Sequence, residues 1–364
     1  MIIFHDYGSA NNAGVTVNSL FKFMPDGGDK LIKVLHKDWA FKTKRVYRLF
    51  GYFDAWPLSN AFKFIEVCFV CLWILCASFI GLCITLKKPT VIINIYQPFR
   101  FYYLLMKFNI FANSYPIIHD VVTHKNRLPK IIQVDIQDFV RNFECIILSE
   151  HSEKDFLTYS PKHKYYVLPF PLYDFNNYVG AARLSVSPIS NMRKKTQKIR
   201  IGFLGHLRFE KGIDIILEAL KHQEFDNIEV IIAGGNYIDL TIVESDYPSV
   251  KFSLDFVSTE RYFELFGSLD YCLLLYDSSV SNSGILFDAL YFNATPIVSK
   301  SPIFVKNHFK NTFCFVENSS DLRKLLKSLD CQKMRKEYAN LCELKNEYIY
   351  NSKLKYKKFY EEIQ

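Results

Sequence analysis

Ile199-Arg200-Ile201-Gly202-Phe203-Leu204-Gly205-His206-Leu207-Arg208-Phe209-Glu210-Lys211-Gly212-Ile213-Asp214 is the stretch that decides how this chain folds. An apolar run of strand length stops at Gly205, and a helical pattern opens near Gly212, so the segment reads strand, loop, helix. Between the two elements sit a guanidinium and an ammonium. A diphosphate placed there would meet the fixed fork of donors on Arg208 and the point charge of Lys211. Charge-assisted hydrogen bonds of this kind contribute roughly 1.5–3 kcal/mol each. The same residues also fit a surface turn with two solvated cations.

Downstream of this unit the alternation of strands and helices continues. Strands are expected over Ile228–Ala233, Val250–Phe252, Tyr271–Tyr276 and Thr295–Val298, with helices over Gly212–His222, Ser258–Gly267 and Gly284–Phe292. Gly234-Gly235 closes one of these strands, as a turn facing a ligand would. Tyr276-Asp277-Ser278-Ser279-Val280-Ser281-Asn282-Ser283-Gly284 is a loop of small polar residues that opens an apolar helix. The first amides of that helix have no partner inside it, and its dipole favours an anion there. Asp288 lies one turn in, at i+4 from Gly284, where a carboxylate can accept two ribose hydroxyls. A Ser/Asn-capped helix with a half-buried aspartate is the other reading.

Upstream, strands are expected over Ile2–His5, Val91–Ile95, Tyr115–Ile118, Cys145–Leu148 and Tyr165–Leu168. A small-residue loop, Gly8 to Gly14 and including Asn12, precedes a helical pattern over Val15–Phe23, which makes a plausible anion or sugar site. Residues 176–198 are polar and irregular and end in Arg193-Lys194-Lys195, as a linker would. With 364 residues, two α/β domains are the natural division. The expected boundaries are 1–175, a linker over 176–198, 199–345, and a helix over 346–364 that packs back on the first domain.

The formal net charge of +8 and a pI near 8.8 favour anionic partners: nucleotide diphosphates or anionic lipid surfaces. Nucleic acid is not expected, because the cations are spread along the chain without a recognition motif. The nine cysteines read as reduced thiols, and no secretory leader is visible, so the chain is expected in the cytoplasm. Val67 to Leu86 holds 20 consecutive uncharged residues between Glu66 and Lys87-Lys88. A helix there reaches about 30 Å. It is either buried in the first domain, lies in a membrane interface beside Lys63, Lys87 and Lys88, or spans a bilayer.

The order Gly-x-Leu-Arg-x-x-Lys-Gly (205–212), then Gly-Gly (234–235), then Ser-Gly-x-Leu-x-Asp-Ala-Leu (283–290) and x-Pro-Ile-Val (295–298) resembles the family 4 glycosyltransferases of the GT-B fold. That resemblance implies two Rossmann-like domains whose parallel sheets face an interdomain cleft. It also implies that Arg208 and Lys211 bind the donor diphosphate, that Asp288 holds the ribose, and that the amides of Ser283 and Gly284 face the phosphates. Gly205, Gly235 and Tyr276 complete the expected donor site. Pro116-Ile117-Ile118-His119-Asp120 resembles the family's strand-end His-Asp, which would put His119 beside the reacting centre, with Asn12 and Gly14 in an acceptor loop. The implied activity is retaining transfer of a hexose from a nucleoside diphosphate sugar to a glycan or lipid-linked acceptor in cell-surface polysaccharide assembly. It would run at the cytoplasmic face of the membrane, without a cofactor or a divalent metal. This chain departs from the family pattern at Val280, where many members carry glutamate, at Asp288, where glutamate is usual, and at Asn293, where glycine is usual. A non-catalytic GT-B scaffold and a nucleotide-sugar epimerase of the same fold are the alternatives.

Overall fold

The computed structural model describes residues 2–6, 31–35, 59–95, 100–118, 134–148, 153, 156–158, 164–170, 172, 198–235, 242–255, 257–277 and 283–363. Side-chain surroundings in the N-terminal half are described from Cys68 onward, with gaps. The chain forms two compact units, one of residues 1–171 with 352–364, the other of residues 172–351.

The first unit is built on a six-stranded parallel sheet in the order β2-β1-β3-β4-β5-β6. Its strands are β1 (Ile2–Asp6), β2 (Leu31–Leu35), β3 (Thr90–Ile95), β4 (Asn113–Ile118), β5 (Cys145–Ile147) and β6 (Tyr165–Val167). The sequence pattern anticipates all of these but β2, whose Leu-Ile-Lys-Val-Leu run carries a charge at its centre. Three described helices accompany the sheet: α1 (Ser59–Thr85), α2 (Arg100–Phe108) and α3 (Ile136–Asn142). Ile74 and Ala77 of α1 pack in one core with Val91 and Ile93 of β3, Tyr102, Leu105 and Met106 of α2, and Phe139 and Val140 of α3. Asn109 donates to the buried hydroxyl of Ser78 at 3.1 Å, which fixes the end of α2 against α1.

The helix expected over 67–86 starts at Ser59 and runs 27 residues. It is neither wholly buried nor free of the domain. Ile74, Ala77, Ser78 and Gly81 face the core, while Leu72, Cys76, Phe79, Ile80, Cys83 and Ile84 are exposed. Among the described residues, no helix is long and apolar enough to cross a membrane.

The second unit holds another six-stranded parallel sheet, β12-β11-β10-β7-β8-β9. Its strands are β7 (Ile199–Leu204), β8 (Ile228–Ala233), β9 (Val250–Ser253), β10 (Tyr271–Leu274), β11 (Thr295–Ser299) and β12 (Cys314–Val316). The near-continuous apolar runs of β7, β8 and β10 are those of strands covered on both faces. The helices are α4 (Ile213–Leu220), α5 (Thr259–Ser268), α6 (Gly284–Phe292), α7 (Pro302–Val305), α8 (Ser319–Ser328) and α9 (Cys331–Ile363). Counted along this unit, the strands lie in the order 3-2-1-4-5-6 of a dinucleotide-binding sheet. The order reverses between β7 and β10, and ligands of such sheets bind outside the carboxyl ends of the strands at that reversal.

α9 belongs to both units, with residues 331–351 in the second and the remainder in the first. Within the first unit Tyr356, Phe359, Tyr360 and Ile363 are buried. The Tyr356 hydroxyl donates to the Pro169 carbonyl at 2.6 Å, and Thr90 donates to the carbonyl of Ile363 at 2.9 Å.

Candidate nucleotide-sugar site

The reversal between β7 and β10 is where the sequence places its cations. β7 gives way at once to Gly205, whose φ of +125° belongs to glycine, and a Cβ there would stand 2.8 Å from Ile285 and 3.5 Å from the Lys211 ammonium. Ile285, in the first turn of α6, and the Lys211 ammonium therefore approach Gly205 so closely that only a residue without a Cβ fits there. Gly212, at φ +71° and ψ +27°, caps α4 in the left-handed region and seats the loop against Leu275. Between them Leu207 is fully buried and anchors the loop, while its amide donates to the Gly235 carbonyl at 3.0 Å. Phe209–Lys211 form a single 3-10 turn. The loop after β10 is tied to this turn, because the Asp277 amide donates to the Glu210 carbonyl at 3.0 Å.

Lys211 is half-buried, with its ammonium 6.0 Å from the centre of the Tyr276 ring. Burial first and the neighbouring Arg208 guanidinium second hold its pKa down to about 8, with Glu210 pulling the other way. Arg208 is exposed and pairs with Glu210 at 3.4 Å. His206, at the mouth of the same loop, is depressed by its own burial and by both cations. The loop is therefore positively charged against its own preference, which an incoming anion would relieve.

The start of α6 faces the same place. Ser283 caps it, accepting from the Leu286 amide at 3.2 Å, and its hydroxyl donates to that of Tyr276 at 3.0 Å. The amides of Gly284 and Ile285 have no partner within the helix at this position. Asp288 lies one turn further on and is only 4% exposed. Its carboxylate accepts the Tyr262 hydroxyl of α5 at 2.5 Å, and burial raises its pKa to about 7 against the lowering effect of that bond. Nothing in the local spacing announces Tyr262, which stands 26 residues away in sequence. α6 ends at Asn293, which takes the left-handed conformation at φ +59° and accepts from the Lys345 ammonium of α9.

Of the residues singled out in the sequence, the structure brings Gly205, Arg208, Lys211, Gly235, Tyr276, Ser283, Gly284 and Asp288 to the carboxyl ends of neighbouring strands or the helix that follows. His119, Asn12, Gly14 and Val280 lie outside the described residues.

No protein-family model matches the chain, and no curated protein sequence matches it significantly. Solved structures do. An α,α-trehalose-phosphate synthase (UDP-forming) from Burkholderia xenovorans, in complex with glucose-6-phosphate, superposes with a TM-score of 0.60 at 9% identity, covering 100% of each chain. Anabaena HepE in complex with UDP and glucose gives 0.59 at 15% identity, over 98% of this chain and 96% of that one. The E. coli trehalose-6-phosphate structure with UDP-2-fluoro glucose bound gives 0.58 at 10%, over 97% and 99%. At these identities the likeness shows the fold: the chain carries two parallel-sheet α/β units in the GT-B arrangement of elements.

Proposed function

We propose that the protein is a glycosyltransferase that takes a hexose from a nucleoside diphosphate sugar. The observation that carries this is the convergence of Lys211, the tight turn at Gly205 and the capped start of α6 at the strand-order reversal of the second unit. Such a place offers a diphosphate one ammonium, one guanidinium and a set of unpartnered amides. That HepE and the Burkholderia synthase are similar in fold, and were seen with UDP or a sugar phosphate, supports the reading.

In this reading the protein works by stabilising the leaving nucleotide. Charge grows on the diphosphate as the glycosidic bond breaks, and donors already aimed at that position lower the barrier without reorganising. Lys211 is suited to this because its ammonium, with a pKa lowered to about 8, gains most from an anion that offsets its burial. The finer reading is that transfer retains the anomeric configuration and needs no divalent metal. In it the acceptor is a glycan or lipid-linked glycan of cell-surface polysaccharide assembly, with His119, Asn12 and Gly14 on the acceptor side.

One observation favours a second reading, a non-catalytic GT-B scaffold. Asp288, expected to hold the ribose, is closed off in a bond to Tyr262. Thermal stabilisation by UDP, GDP and ADP, measured beside Lys211→Ala, tests the site. A shift of the size of about 2.7 kcal/mol at a hundredfold excess over Kd, lost in the variant, is expected. No shift with any base would overturn the site itself, whereas a shift without sugar release to any acceptor would favour the second reading.

A further inference from the structure

The outer face of α1 is apolar where a domain surface should be polar. Phe79 is 51% exposed, Ile80 52% and Ile84 61%, and they follow one another with Leu72, Cys76 and Cys83 at the i+3/i+4 spacing of a single helical stripe. The stripe does not end with the helix. Phe79 packs edge-on against Phe111 at 5.3 Å, and beside Phe111 stand Phe108, 66% exposed, and Ile110, 69% exposed, in the turn that closes α2. Two helix ends thus share one exposed apolar patch, which is larger than scattered surface leucines account for.

Along the segment that builds this patch the charge has one sign. From Val67 to Ile118 the sequence contains no aspartate or glutamate, while Lys87, Lys88, Arg100 and Lys107 are all present and exposed. Lys87 and Lys88 follow α1 directly and Lys107 sits in the last turn of α2. Because those two helices lead into β3 and β4, these three cations gather at the amino edge of the first sheet. The opposite face of α1 is committed to the core through Ile74, Ala77 and the Ser78–Asn109 bond, so the helix cannot leave the domain to cross a bilayer.

We infer that this patch, formed by Leu72, Phe79, Ile80, Ile84, Phe108 and Ile110 and rimmed by lysines, docks the first unit on an anionic lipid bilayer. The apolar stripe enters the boundary between headgroups and acyl chains, and the lysines meet lipid phosphates. A complementary protein surface would need acidic residues of its own beside a matching apolar face, whereas an anionic bilayer supplies both at once. The inference does not rest on the transferase reading, since lipid binding is read without turnover.

Sedimentation of the full chain with vesicles tests it, using phosphatidylcholine alone and phosphatidylcholine partly replaced by phosphatidylglycerol. The protein is expected to pellet with the anionic vesicles, less as salt rises, and only weakly with the neutral ones. Lys87→Gln with Lys88→Gln should weaken that binding about fivefold for each lysine. Ile80→Glu with Ile84→Glu should abolish it, while Leu354→Glu, an exposed apolar residue of α9, should leave it unchanged. Because all the altered side chains are exposed, unchanged melting temperatures will confirm that the variants fold. Absence of wild-type binding to anionic vesicles, or binding indifferent to Ile80→Glu with Ile84→Glu, would overturn the inference. So would a wild-type dimer in solution that the same double change splits, since a second copy would then cover the face.

Discussion

Lys211 answers to two conflicting requirements. Its pKa of about 8 lies below the ordinary lysine range, so between about pH 8 and pH 10.5 the unfolded chain holds a proton that the folded chain has lost. Stability from this group therefore rises with pH across that window, and nucleotide affinity falls across it as the ammonium discharges. Titrations of nucleotide binding against pH should show the decline beginning near pH 8. Lys211→Met should remove both effects, raising the melting temperature of the free protein at neutral pH while weakening nucleotide binding about 10–100-fold, the loss of one charge-assisted bond. Asp288 has the opposite linkage. Its folded pKa of about 7 lies above the usual aspartate value of 3.8, so its contribution to stability falls as pH rises from about 4 to 7. Asp288→Asn should flatten the stability profile over that range in calorimetry. Tyr262→Phe should steepen it and cost roughly 1–3 kcal/mol by leaving the carboxylate buried without its donor. The two residues were not equally legible. Lys211 is announced by the glycines on either side of it. The partner of Asp288 comes from another helix, and the sequence's i+4 spacing pointed only to the face of α6 on which the acid lies.

At the scale of elements, α6 joins the site to its support. Ser283 begins it and Asn293 ends it, each replacing a chemistry that glycine or a charged residue often supplies. Ser283→Ala removes both the cap and the bond to Tyr276, and should cost about 0.5–2 kcal/mol in chemical denaturation. Asn293→Ala should cost about 1–2 kcal/mol more than Asn293→Gly, because both lose the amide that Lys345 uses but only glycine takes φ +59° without strain. Elements bounded by such punctuation were readable: β7, β8 and α6 fall where glycine, proline and unbroken apolar runs put them. β12, of three residues, is too short to carry a period. The start of α1 was obscured for a different reason: Lys63 and Glu66 interrupt the apolar run, although both lie inside the helix.

For the whole molecule, parallel sheets follow from strands apolar enough to be covered on both faces and separated by helical stretches, so the fold class could be read before the structure. Which side chains close each unit could not, because that depends on contacts far apart in sequence. α9 shows this most clearly. Tyr356 is fully buried in the first unit, yet it lies nearly two hundred residues beyond the Pro169 carbonyl that its hydroxyl meets. Tyr356→Ala should cost about 3–5 kcal/mol, read as a lowered melting temperature of the full chain.

This placement of α9 reverses the usual order of assembly on the ribosome. The first unit is synthesised first, but its core is closed by residues 352–364, so it must wait for the whole second unit to be made. At about 5–20 residues per second that wait lasts roughly 10–40 s. During it the first sheet lacks the aromatic side chains of Tyr356, Phe359 and Tyr360, and a nascent chain stopped before Ser352 should remain a substrate for chaperones and proteases, released only when the last turns of helix emerge.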